Sequence, residues 1–302
     1  MALILACGLL IDSALPDLPG EVCRAGKPIA QLRVREYSDN SGVRQGVSLG
    51  GDGASVQGYY CESERKVHVD VGGEMWIEIT DADIEVATAP TVSKQVVAFH
   101  AMYHGVALLT ALRGAMVLHG AAVEMGGMAI CIVGGRGVGK SSLACYLSRR
   151  GFGFMGDDFI PVVASRTWGS FPLVRLAEDA AIRLLPGSAR GGGNLRWRWH
   201  DVSGWGKYRS GTHDIASVVI LRRERTGIRA RRLLAADAYR AVMANVCAPY
   251  GLPSHVWPGI ARACGDLVRS RPVLEVAWSQ EWHMLPRMEE ALLELAAEVH
   301  IR

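Results

Sequence analysis

The chain has 302 residues, 49% of them apolar and 21% charged, with a formal net charge of +3. Such a composition belongs to a globular protein of one large or two ordinary domains and excludes wholesale disorder. A net charge this small gives no reason to expect a nucleic-acid or membrane-surface partner. Glycine is in excess, at 35 residues. With no collagen-like period and no Gly/Ser tract, the surplus belongs to turns and loops. Only five of the 33 basic residues are lysines (Lys27, Lys66, Lys94, Lys140, Lys207), so a lysine in a glycine-rich setting is informative.

Residues 1–11 (MALILACGLLI) are apolar but lack the basic n-region of a signal peptide and are too short for a bilayer span, so they predict a buried first strand. No other stretch is long and apolar enough for a transmembrane helix. The seven cysteines (Cys7, Cys23, Cys61, Cys131, Cys145, Cys247, Cys264) are scattered, with no C-x-x-C pair. That pattern fits free thiols in a reducing cytoplasm, without a zinc site or a disulfide framework.

Up to about residue 90, short β-rich runs such as 31–36 (QLRVRE), 66–71 (KVHVDV) and 75–79 (MWIEI) alternate with Gly, Asp and Ser turns. They predict a small, mostly antiparallel β domain over residues 1–92. Its GGDG stretch at 50–53 is a turn signal, without the lysine or helix of a phosphate site. From Ser93, apolar residues recur at helical spacing (Val96, Val97, Phe99, Tyr103, Val106, Leu109, Leu112) until Gly114. Two strand-like runs follow, 116–123 and 128–133, joined by Gly126-Gly127. A helix is predicted over 140–150, then strands into Met155 and over 159–163. The second domain, residues 93–302, is therefore α/β. Further on, 171–177 and 216–221 read as strands and 187–212 as a loop without periodicity. Residues 222–232 read as a hairpin around Thr226-Gly227, 236–248 as a helix, and 286–299 as an amphipathic helix.

Residues 134–141 read GGRGVGKS, a full match to G-x-x-x-x-G-K-[ST] lying between an apolar strand and a helix. In this pattern Gly134, Gly135, Arg136, Gly137, Val138 and Gly139 wrap the backbone so that its N–H groups face phosphate oxygens. The helix N-terminus beginning at Lys140, Ser141 and Ser142 adds its positive end. Lys140 reaches the β- and γ-phosphates of a nucleoside triphosphate, and the Ser141 hydroxyl can ligate Mg²⁺. A second glycine pattern, GFGFMG at 151–156, follows a helix and leads into Asp157-Asp158, the wrong order for a dinucleotide turn.

Asp157 and Asp158 end the strand after the glycine-loop helix, and a parallel neighbour of the loop strand would deliver them beside the γ-phosphate. Adjacent carboxylates on a strand end point in different directions. One can hold Mg²⁺ while the other accepts a proton from an attacking hydroxyl; an exposed acidic turn is the bland alternative. His119, on the strand entering the loop hairpin, is either a core histidine or part of the site.

The segment LHGAAVEMGGMAICIVGGRGVGKSSLACYLSRRGFGFMGDDFIPV, residues 118–162, resembles the core of the HPr kinase/phosphorylase-like family, where a His-Gly strand, a P-loop and an Asp-Asp pair follow in this order. The resemblance implies a P-loop α/β kinase core akin to phosphoenolpyruvate carboxykinase, ATP with Mg²⁺, and phosphorylation of serine. It makes Asp158 the base, Asp157 a metal ligand or partner, with the two roles exchangeable, and His119 an electrostatic helper. Ser142 stands where typical members carry an acidic residue, and their E-I-R-G-L-G signature is missing. The layout is closer to divergent members from biosynthetic clusters for ribosomally made peptides, including lasso-peptide precursor kinases, with residues 172–176 as a strand and 206–208 as a Gly-Lys-aromatic loop.

In residues 196–209 (RWRWHDVSGWGKYR) tryptophans interleave with basic residues. The segment reads as a lid with Lys207 as a second cationic clamp, as a grip for a peptide, as a single-strand nucleic-acid platform, or as a core-filling loop. The arginines of 222–232 read as a solvated or edge-guarding face. Taken together, these readings predict a cytoplasmic ATP-dependent serine kinase acting on a peptide or small protein. The alternatives are a small-molecule kinase on the same core and a nucleotide-binding regulator that transfers nothing. A homo-oligomer is compatible with the sequence, but nothing in it requires one.

Overall fold

The computed structural model describes residues 2–6, 9–13, 21–23, 30–36, 47–51, 54–185, 197–247 and 252–300. The chain forms two compact units: Met1–Val117 with Cys247–Ile260, and Leu118–Val246 with Ala261–Arg302.

The strands of the first unit are β1 (Ala2–Ala6), β2 (Leu9–Ser13), β3 (Glu21–Cys23), β4 (Ala30–Glu36), β5 (Val47–Gly51), β6 (Ala54–Cys61), β7 (Lys66–Val71), β8 (Met75–Ile79) and β9 (Asp83–Thr88). They make one sheet in the order β3-β1-β2-β4-β9-β8-β7-β6-β5. All neighbours are antiparallel except β2 with β4 and β4 with β9. Strand alternation puts Val67, Val69, Val71, Met75, Ile77, Ile79, Ile84 and Val86 into the core. A helical segment follows as α1 (Lys94–His100), a π-helical turn (Ala101–Val106) and α2 (Ala107–Leu112). Ser93 caps it, its hydroxyl accepting from the Val96 N–H at 3.4 Å. Val97, Ala101, Met102, Val106 and Leu109 are its buried stripe. The helix comes so close to the sheet that a Cβ on Gly105 would lie 2.9 Å from Ile84 Cγ2.

β10 (Met116–Leu118) carries the chain into the second unit. There follow β11 (Gly120–Met125), β12 (Met128–Gly134), α3 (Lys140–Arg149), β13 (Gly153–Gly156), β14 (Ile160–Val163), β15 (Arg166–Trp168), β16 (Leu173–Ala177), α4 (Glu178–Leu184), β17 (Trp197–Asp201), β18 (Thr212–Arg223), β19 (Ile228–Arg232), α5 (Ala235–Met243), α6 (Trp257–Ser270), β20 (Val273–Trp278) and α7 (Leu285–His300). β11 and β12 are a hairpin closed by Gly126 and Gly127 at φ 59° and 84°, as a two-residue turn of this hand requires. β12 pairs parallel with β18, and β18 parallel with β20. On its other side β11 pairs antiparallel with β13. Leu143, Ala144 and Leu147 of α3 are buried in one core with Ile130, Ile132, Phe154, Met288 and Leu292. α3 is also tied to α7 by Tyr146 Oη donating to Glu289 at 3.0 Å.

Several expectations change. The apolar start is two antiparallel strands, with Ile4 opposite Ile11; an unbroken apolar run carries no alternation to mark where it turns. The helical segment after Ser93 belongs to the first unit, so the division falls at 117/118 instead of 92/93, and residues 247–260 return to that unit. β18 and β19 are no hairpin, because β20 pairs with both. Trp197–Asp201, expected as loop, is a strand paired with β16, Arg175 opposite Trp199. Residues 186–196, including Arg196, lie outside the described residues. Among the described residues no helix is long and apolar enough to cross a membrane.

Candidate functional site

Sheet register brings three sequence segments to one edge of the second unit. Gly120 pairs with Val133, and Ala122 with Gly156. The start of β11 therefore lies between the C-terminal ends of β12 and β13. β13 runs in the direction of β12, as expected, but is not its neighbour: β11 intervenes and pairs antiparallel with both. His119 is not inside a strand; it occupies the break between β10 and β11 at this same edge.

The glycine loop leaves β12 at Gly134 and enters α3 at Lys140. Gly139 holds φ at 94°, and a Cβ there would meet Trp278 Cζ2 at 2.5 Å, so this position excludes any side chain. The loop is braced from outside. Asn245 Oδ1 accepts from the Gly134 N–H at 2.9 Å, while its own carbonyl accepts from the His119 N–H at 2.8 Å. Trp278 Nε1 donates to the Val138 carbonyl at 2.9 Å and Gln280 Nε2 to that of Gly137 at 2.5 Å. Gly135, Arg136 and Gly137 are exposed, whereas Lys140 is buried. The Lys140 ammonium donates to the carbonyls of Gly134 and Gly135 at 2.9 and 3.0 Å. Burial lowers its pKa, and the charges of Asp157 and Asp158 act against that shift.

The two aspartates are both buried but differently engaged. Asp157 Oδ1 accepts from Ser141 Oγ at 3.0 Å and Oδ2 from the Arg175 N–H at 2.9 Å. Burial first, and the neighbouring Asp158 second, push its pKa up to about 7, against the opposing hydrogen bonds from Arg175 and Ser141. Asp158 adopts a left-handed backbone, φ 68°, a conformation that aspartate tolerates better than most residues. It faces His119 Nδ1 at 3.8 Å and Arg175 Nη1 at 3.9 Å. Burial lowers the His119 pKa, an effect countered by the Asp158 charge.

Lys140, Ser141, Asp157, Asp158 and His119 thus meet at one edge. Ser142 lies half-buried in the first turn of α3. Lys207 is held through its backbone, its carbonyl accepting from the Phe154 N–H of β13 at 2.8 Å. Arg175, Asn245, Trp278 and Gln280 were not singled out from the sequence. Arg175 had the best signal, standing on the 172–176 strand; its guanidinium also lies 6.0 Å over the Trp199 ring. The donors suit Mg²⁺: a hydroxyl and a carboxylate, both hard oxygens, at the N-terminus of a helix that favours bound phosphate.

No protein-family model matches the chain, and no curated protein matches it. Among solved structures it is similar to the Hpr(Ser) kinase/phosphatase from Coxiella burnetii, at 15% identity and a TM-score of 0.31, covering 59% of this chain and 93% of that one.

Proposed function

We propose that the protein is an ATP- and Mg²⁺-dependent kinase that transfers the γ-phosphoryl group to a serine of a peptide or small protein in the cytoplasm, the glycine loop acting as a P-loop. The observation that carries this reading is the division of labour in the acidic pair. Asp157 is joined to the Ser141 hydroxyl beside the loop, whereas Asp158 faces His119 and Arg175.

Bound MgATP supplies the transferable phosphoryl group and a cation that neutralises its charge. The loop N–H groups and the N-terminus of α3 hold the phosphates, and Lys140 balances their charge. Ser141 and Asp157 are the protein ligands of the cation. Asp158 accepts the proton of the serine hydroxyl as the new O–P bond forms and the bond to the leaving ADP breaks. Arg175 and His119 orient the Asp158 carboxylate. The narrower proposal, a precursor peptide of the lasso type as substrate, rests on the sequence resemblance of residues 118–162 and the layout after them.

Incubation with γ-labelled ATP, Mg²⁺ and a panel of serine-containing peptides, read by mass spectrometry, tests the proposal. A phosphoserine peptide that disappears with Ser→Ala substitution in the substrate supports it. Label in a small metabolite, or nucleotide binding with no transfer to any acceptor, contradicts it in favour of a small-molecule kinase or a regulator respectively.

A further inference from the structure

One face of the first unit's sheet carries a second group of chemically competent side chains. On β6 and β7, Tyr59 is opposite His68 and Cys61 opposite Lys66, and on β8 Glu78 is opposite His68. These five residues therefore share one face. The turn between β6 and β7, closed by Arg65 at φ 54°, folds Glu64 back over the same face. The Cys61 sulfur, a Glu64 carboxylate oxygen and a His68 ring nitrogen all lie within 4.8 Å of one another. Among the described residues this is the one such grouping of metal-ligating side chains.

We propose that Cys61, Glu64 and His68 bind a zinc ion, with a water molecule completing the tetrahedron. The imidazole is held for this purpose. His68 is buried, its ring stacks on Tyr59 with centroids 5.0 Å apart at 16°, and its Nδ1 lies 3.6 Å from Glu78 Oε1. This leaves Nε2 directed at Glu64, 3.1 Å away. The separation is close to the edge of about 3.3 Å between nitrogen and oxygen ligands on one zinc. The sulfur must come within about 3.6 Å of both; from separations no greater than 4.8 Å this asks a closure of at most about an ångström, and both the half-exposed Cys61 and the exposed Glu64 have room to turn.

A carboxylate behind the second nitrogen of a ligating histidine fixes the tautomer and raises the basicity of the ligand; Glu78 occupies that place. The charges also balance. The cation would be neutralised by the Cys61 thiolate and the Glu64 carboxylate, while Glu78 is already paired with Lys66 at 2.9 Å. Binding releases the Cys61 proton to solvent. A thiolate and an imidazole select zinc over magnesium or calcium, so this site is chemically distinct from the oxygen donors at Ser141 and Asp157. Cysteine spacing could not disclose it, because only one cysteine takes part.

Full-length protein, stripped with a chelator and titrated with Co²⁺ and then Zn²⁺, tests the site. The expected result is one Co²⁺ per chain with a thiolate-to-cobalt charge-transfer band, displaced by Zn²⁺ and absent in Cys61→Ser. Glu78→Gln should weaken binding by about 10–100-fold. Glu64→Gln, an exposed change that leaves the fold intact, should weaken it as well. An oxygen-only site gives no thiolate band, so the outcome is independent of the proposed kinase activity. No band in the wild-type protein, or a band that survives Cys61→Ser or is indifferent to Glu64→Gln, overturns the proposal.

Discussion

At Asp157, burial and hydrogen bonding pull in opposite directions, and burial wins. The folded carboxyl keeps a proton to about pH 7 that an unfolded one, with its ordinary value of 3.8, has already lost. Between those two values the folded state binds more protons, so this residue makes stability fall as pH rises through the window. Asp157→Asn should therefore melt higher than the wild type at pH 8, by roughly 2–4 °C for each kcal/mol recovered. The difference should disappear toward pH 4, and Mg²⁺-dependent transfer should be lost at every pH. Calorimetry with a parallel activity assay measures both; a lower melting temperature at pH 8 would show that the lost hydrogen bonds outweigh the relief of charge. Residues of this kind were evident in the sequence because a motif carries them locally. Arg175, which donates to Asp157 through its backbone and faces Asp158 with its side chain, had no such spacing to announce it.

At the level of elements, the glycine loop depends on β20, whose last residue packs against it from 140 positions away in sequence. Gly139→Ala would drive a methyl group into the Trp278 ring from a backbone conformation that alanine resists. Nucleotide affinity should drop more than tenfold while far-UV circular dichroism stays unchanged, as titration with ATP would report; unaltered affinity would mean that the loop adapts. The helical segment of the first unit makes a separate prediction. Burial pushes His100 down to about 4 and His104 to about 3. Folding suppresses protonation that the unfolded chain undergoes near 6.5, so stability is intact above that pH and falls as acid is added. Each histidine contributes a slope of up to about 1.4 kcal/mol per pH unit. His104→Gln should flatten the acid limb of a denaturation profile between pH 6.5 and 4, and an unchanged slope would contradict the assignment. The helix, the hairpin and the loop were apparent from short-range periodicity. β17 and β20 were not, because pairing with distant strands defines them more than their own composition does.

For the whole molecule, a change from β-rich to helical sequence near residue 92 suggested a boundary that packing does not respect. Val97, Ala101, Val106 and Leu109 are buried within the first unit, and the chain re-enters that unit at 247–260. A fragment of residues 93–302 would strip the sheet from this apolar stripe. It should be less soluble than the full chain and bind a hydrophobic dye; a soluble, monomeric fragment that does not bind the dye would restore the boundary at 92. The central claim, that one sheet edge separates phosphate holding from proton acceptance, is tested most directly with Asp158→Asn. MgATP affinity is measured by calorimetry and phosphoryl transfer to a serine peptide in the same preparation. The expected result is affinity within about threefold of wild type, with transfer reduced by about 10²-fold or more. Transfer that persists at the wild-type rate would contradict the account.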